Sequence, residues 1–290
     1  MSARDDMPAT DLIPAWLAES LNRAAAIVND PAPVKASGPV RVGVDLGTSD
    51  VVCMALDENN TPVAVFLEWA DVVRDGVVLN FHGAVSIVRR QMEALRAKLG
   101  VDITRVNTSY PPGTEPRISV NVLEAAGLEV AAVIDEPSAV ANLLALDCAA
   151  VVDIGGGTTG IAILRGGKVV CSGDEATGGR HVTLTIAGAN GISLEEAEAL
   201  KIARGREVWP IVRPVFEKMA DIVRTHISGH ETGTLYLSGG SCALPGVRDL
   251  FRQEFPDNTV VLPENVLFLT PLAIAAYRQE SQMTRPGNHE

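Results

Sequence analysis

The segment Val44-Asp45-Leu46-Gly47 returns later in the chain as Val152-Asp153-Ile154-Gly155. Each copy follows a β-branched run, precedes a turn of Gly with Thr or Ser, and leads into a second apolar run, 51–56 or 161–164. A chain that repeats strand, turn and strand around a shared aspartate is expected to fold as two similar halves that face each other. The remaining pattern fits an α/β protein. Apolar runs at 40–44, 62–67, 130–134, 149–153 and 235–237 alternate with helical periodicities at 83–100, 116–126 and 246–255. A long helix is expected to carry Val208, Ile211, Val215, Met219, Ile222 and Val223 inward, and Pro137 and Ser193 open two further helices.

Composition narrows the function classes. With 47% hydrophobic and 21% charged residues among 290, the chain is too apolar for disorder and too charged for a membrane protein. No apolar run approaches the roughly 20 residues a bilayer requires, and residues 1–6 show no basic leader. Lys and Arg number 24 against 36 Asp and Glu, a net charge of −12 that disfavours nucleic-acid binding even through Lys201, Arg204, Arg206 and Arg213. Cys53, Cys148, Cys171 and Cys242 form no CxxC pair and are expected to be buried, reduced thiols of a cytoplasmic protein. The five histidines have no HExxH spacing, and no serine sits in a GxSxG elbow.

Residues 1–38 read as an arm. Thr10 or Asp11 can cap an amphipathic helix bearing Leu12, Trp16, Leu17, Leu21, Ala24, Ala25 and Val28, which Asp30-Pro31-Ala32-Pro33 ends. Its apolar stripe either docks on the body or serves as a partner-binding helix.

Each repeated hairpin carries the chemistry of a phosphate site. Gly47, Thr48 and Ser49 in the first, and Gly155, Gly156, Gly157, Thr158 and Thr159 in the second, offer backbone amides and hydroxyls to an anion. An aspartate at each strand end would repel phosphate unless a cation lay between, so Asp45 and Asp153 point to Mg²⁺ held through water. A third glycine turn, Ser238-Gly239-Gly240-Ser241, follows a strand and suits a nucleoside. Two rival motifs fail. Residues 155–160 satisfy GxGxxG but enter a hairpin through Gly166-Gly167 instead of opening a helix. No GxxxxGK[ST] loop occurs, so charge neutralisation falls to metal.

These segments resemble the actin-like ATPase superfamily, which includes actin, sugar kinases and the DnaK-type chaperones. Residues 42–51 and 151–164 are similar to its two phosphate motifs, 133–139 to the first connecting motif, 235–247 to the adenosine motif and 266–276 to the second connecting helix. The resemblance implies two ribonuclease-H-like lobes around ATP or ADP with Mg²⁺. It implies that Glu136 places the attacking water, and that Gly178, Gly179, Glu198 and Lys201, with Gly239, Gly240 and Ser241, hold the nucleoside. Segments ADVVRDGVVLNF (70–81), YPPGT (110–114), AGANGISLEEAEALK (187–201) and 209–227 resemble the EutJ family of ethanolamine-utilisation proteins, chaperone-like and encoded with bacterial microcompartment genes.

The expected organisation is an arm over 1–38, a first lobe over 39–136, a second over 137–265, a helix over 266–280 returning to the first lobe, and a tail over 281–290. The chain ends soon after Tyr277, leaving no room for the DnaK-type peptide-binding domain, so a protein client or microcompartment component would contact the lobes or the arm. The catalytic lysine of the heat-shock members has no evident counterpart, so slow hydrolysis is expected. A small-molecule kinase and an actin-like filament or scaffold protein are the alternatives on the same fold.

Overall fold

A computed structural model describes residues 13–74 and 77–278. Helix α1 (Ala15–Ala26) leads into β1 (Arg41–Leu46), β2 (Asp50–Leu56) and β3 (Pro62–Trp69), a meander of antiparallel neighbours. A small ribbon, β4 (Val73–Arg74) with β5 (Val77–Val78), precedes α2 (Phe81–Leu99). Strand β6 (Arg105–Tyr110), α3 (Arg117–Ala125) and β7 (Glu129–Asp135) complete the first half, with β6 parallel to both β1 and β7. After α4 (Glu136–Leu143) the plan repeats. Strands β8 (Ala149–Ile154), β9 (Thr159–Arg165) and β10 (Lys168–Glu175) form a second meander. Helices α5 (Gly179–Asn190), α6 (Leu194–Ala203) and α7 (Gly205–Ile227) then cross to β11 (Thr234–Ser238), and α8 (Val247–Glu254) crosses to β12 (Thr259–Val261). A 3-10 turn over Val266–Phe268 leads into α9 (Leu269–Ala276).

The sheets run β3-β2-β1-β6-β7 and β10-β9-β8-β11-β12, the same order twice. The duplicated tetrapeptide is therefore the visible trace of a duplicated lobe. Period-2 alternation divides the first sheet between two cores. Val51, Cys53 and Ala55 of β2 pack with α2, whereas Val52, Met54 and Leu56 join the larger core shared with the second half. Burial on both faces explains why these strands read as continuous apolar runs. Helix α4 packs on β8 and β9, α9 on β1 and β2, and the two pack against each other between the sheets.

Several caps follow directly from residue type. Asn80 accepts from the Gly83 amide at the start of α2, and Gly100 ends that helix in the left-handed conformation. Ser193 and Glu196 form a reciprocal capping box on α6.

Other expectations change. The described helix of the arm begins at Ala15, and the proposed Thr10 or Asp11 cap lies outside the described residues, as does the tail over 281–290. The apolar stripe of α1 is docked: Leu17, Leu21 and Ala24 are buried in the larger core, and Trp16 stays exposed. Lys98 of α2 is buried, and its ammonium reaches the Asp30 carbonyl (2.8 Å) and carboxylate (2.9 Å), fastening the linker behind α1. Cys148 is exposed, Cys171 is half-buried, and Cys53 and Cys242 are buried. The inward face of α7 is rotated from the expected one, with Val208, Val212, Phe216, Met219, Ala220 and Val223 deepest. No helix among the described residues is long and apolar enough to cross a membrane.

Candidate functional site

Asp45 is the penultimate residue of β1 and Asp153 that of β8, so equivalent strand ends present both carboxylates to one cleft of about 330 Å³. The turns that follow meet across it. A Cβ built on Gly156 would fall 2.2 Å from Ser49 Oγ, 3.0 Å from its Cβ and 3.1 Å from its backbone N, so the absent side chain lets the second turn close onto the first. The Gly155 amide donates to Thr158 O (3.0 Å), and the amides of Gly179 and Arg180 donate to the carbonyls of Gly155 (2.9 Å) and Gly156 (2.7 Å), pinning the turn to the start of α5.

Of the sequence-predicted residues, Asp45, Gly47, Thr48, Ser49, Glu136, Asp153, Gly155, Gly156, Gly157, Thr158, Gly179, Glu198, Lys201, Gly239, Gly240 and Ser241 line this cleft. Thr159 and Gly178 stand behind its wall. The Thr159 hydroxyl donates to Thr177 O (2.6 Å), and a Cβ on Gly178 would lie 2.7 Å from the backbone of Gly157 and Thr158, so both shape the turn from outside. At the nucleoside end, Ser241 Oγ donates to Gly155 O (2.8 Å). Lys201 Nζ contacts Glu198 Oε2 (2.7 Å) and Thr183 Oγ1 (3.0 Å).

Asp50 and Thr270 contribute without a role assigned from the motifs, and Ser238 of the third glycine turn serves Asp153 instead of a nucleoside. Asp50 lines the cleft as a further carboxylate beside its cross-strand partner Trp69, whose indole is exposed at the same cavity. Asp50 directly follows the first turn, and that adjacency is the one available signal. Ser238 and Thr270 both donate to Asp153 Oδ2, at 2.8 and 2.6 Å; Thr270 lies far along the chain on α9, with no local signal.

Electrostatics argue for a cation. Burial, then repulsion from Asp50 and Asp153, raises Asp45 to about 8 despite a 3.3 Å bond from Ser109. Burial and Asp153 raise Asp50 to about 6. Glu136, first residue of α4, is pushed well above the usual carboxylate range by burial and by Asp45, Asp153, Asp174 and Asp135. Burial raises Asp153 too, opposed by its bonds from Thr270 and Ser238. Like charges gathered at one cavity fit a divalent ion. Among the described residues no three His, Cys, Asp or Glu side chains converge closely enough to grip a metal, so an ion bound here would take water to complete its shell.

The crowding has a measurable consequence. Unfolded carboxyls titrate near 4, so between about pH 4 and 8 the folded state binds more protons than the unfolded one and stability falls as pH rises. In EDTA the melting temperature is expected to drop from about pH 5.5 to about 8, and Mg²⁺ is expected to restore it at the upper end. A melting temperature that stays level in EDTA would contradict this crowding.

Across the mouth, Arg180 of the second half faces Asp71 of the first at 3.7 Å. Two sheets of one strand order, packed helices between them and an acidic cleft walled by glycine turns define the actin-like ATPase fold. A family model for the cell division protein FtsA matches residues 150–280. MreB 5 of Spiroplasma citri, solved bound to AMPPNP, superposes with a TM-score of 0.65 over 82% of this chain and 95% of its own at 17% identity, a likeness of fold. The ethanolamine utilization protein EutJ of Salmonella typhimurium is 59% identical over 260 residues, 90% of this chain and 93% of that protein. The crystal structure of EutJ from Carboxydothermus hydrogenoformans is 39% identical, with a TM-score of 0.83 over 92% of this chain and 98% of its own. The chain belongs to the EutJ family of ethanolamine utilization proteins.

Proposed function

We propose that this chain binds ATP with Mg²⁺, hydrolyses it slowly, and uses the cycle as a chaperone-like factor for an ethanolamine-utilisation enzyme or microcompartment component in the cytoplasm. The observation that carries this reading is the meeting of two phosphate-type turns, Ser49 against Gly156, with Asp45 and Asp153 at the same cleft. Gly47, Thr48 and Ser49 hold phosphates from one lobe, and Gly156, Gly157 and Thr158 from the other. Asp45 and Asp153 hold the water shell of Mg²⁺, which when bound neutralises phosphate charge and returns the crowded carboxylates to their ionised form. Glu136 orients the water that attacks the terminal phosphate. Glu198, Lys201, Gly240 and Ser241 line the nucleoside pocket. Loss of the terminal phosphate removes the bridge between the turns, relaxes the lobes and changes the grip on a client.

Calorimetry should find MgATP binding with a Kd on the order of 1 µM to 1 mM, weakened by EDTA. Affinity capture with and without ATP should retain different amounts of an ethanolamine-utilisation protein. No MgATP binding at millimolar concentration would overturn the reading. A small-molecule kinase is the second reading, favoured by Asp50 and the exposed Trp69 side by side at the cavity. Consumption of ATP only when a small acceptor is added would select it.

A further inference from the structure

Asp153 is locked by a triangle of side chains. Ser238 Oγ lies 2.8 Å and Thr270 Oγ1 2.6 Å from its Oδ2, and the two hydroxyls are 2.8 Å apart. All three residues are buried, at 4%, 0% and 5% exposure. Two donors use both lone pairs of Oδ2, so only Oδ1 is left to face a ligand. That oxygen is turned toward the glycine turns: a Cβ on Gly239 would come within 2.6 Å of it.

The donors come from different places. Ser238 ends β11, beside Asp153 in the register of the second sheet. Thr270 belongs to α9, whose other bonds run to the first sheet. Asn107 Nδ2 donates to the carbonyls of Ile274 (3.0 Å) and Tyr277 (2.9 Å), and Arg41 donates to Ala276 O (2.9 Å). A Cβ on Gly43 would fall 2.5 Å from Ala275 N, so α9 lies directly on β1. A carboxylate of the second lobe is thus oriented by a helix seated on the first.

We propose that Ser238 and Thr270 are positioning residues for Asp153, and that Thr270 ties the orientation of this metal-facing carboxylate to the seating of α9 on the first lobe. The inference rests on the MgATP reading and adds to it a route from lobe geometry to the metal site. Outer partners of this kind typically govern 10–100-fold of metal affinity.

The test compares wild type with Thr270→Val, which keeps shape and loses the hydroxyl, Thr270→Ser, which keeps the hydroxyl, and Ser238→Ala on the other lobe. Calorimetry measures MgATP and, in EDTA, metal-free ATP; melting with Mg²⁺ alone supplies a readout free of nucleotide. Thr270→Val is expected to lose tenfold or more of MgATP affinity and most of the Mg²⁺ melting shift, with metal-free ATP binding unchanged. Thr270→Ser should restore both, and Ser238→Ala should lose part of each. Should Thr270→Val fail to fold, Ser238→Ala and Thr270→Ser decide by the same measurements. Equal loss of MgATP and metal-free ATP affinity, or a Thr270→Val protein matching wild type, would overturn the proposal. A wild type that responds to Mg²⁺ alone but binds no nucleotide would sink the ATPase reading and leave the positioning role standing on the melting data.

Discussion

Replacing Asp153 with Asn is expected to make the metal-free protein more stable and its MgATP binding at least tenfold weaker, a change of about 1.4 kcal/mol. The two effects share one cause. Asp153 is buried among Asp45, Asp50 and Glu136, whose raised pKa values register its charge. Removing that charge relieves repulsion, while the Asn carbonyl still accepts from Ser238 and Thr270. The same change would delete one of the two carboxylates proposed to hold the ion's water. A rise of a few degrees in melting temperature without Mg²⁺, paired with a diminished Mg²⁺ response, would be the signature of a functional acid retained at a cost in stability. A lower melting temperature together with undiminished MgATP affinity would refute the assignment.

Gly239→Ala is expected to be severely damaging for a single added methyl. Gly239 has φ +86 and ψ 148, a region nearly restricted to glycine, and the new Cβ would lie 2.4 Å from Ile154 O and 2.6 Å from Asp153 Oδ1. The nearest obstacle is backbone of the strand that carries Asp153, so it cannot rotate away. A loss of about 3 kcal/mol, or about 6–12 °C in melting temperature, is expected along with nucleotide binding. Gly167→Ala is the control: its φ is +70, but the added Cβ meets nothing within 4 Å. That variant should lose only about 1–2 kcal/mol and keep the site intact. Similar losses for both would mean that backbone conformation alone, without the collision, sets the damage.

What the sequence made legible and what it hid divide along physical lines. The repeated Asp-x-Gly hairpins, the helix opened by Ser193 and the helical periodicity over 83–100 are local signals, and each appears in the structure where its residues sit. Helix α5 was not evident because Val182, Thr183, Thr185 and Ile186 favour strands; its bonds to the Gly155 turn and burial of Val182, Thr183 and Ile186 override that preference. The burial of Lys98 depends on Asp30, brought close only when the arm docks. Thr270 reads as an ordinary polar position in an apolar helix until α9 lies beside Asp153. Thr159 and Gly178 fit a motif pattern yet are buried behind the turn, the one bonded to Thr177 and the other packed on the Gly157–Thr158 backbone.

The docked arm limits how the molecule can move. Leu17, Leu21 and Ala24 fill the larger core, and just beyond α1 Asn29 clasps β3 through Leu67 N and O and through Val65 O. Peeling the arm from the body would bare that apolar surface and break these three bonds to β3. The Arg180–Asp71 pair, partly in water, resists separation far less. The arm should therefore stay clipped to β3 while the Arg180–Asp71 latch opens and closes.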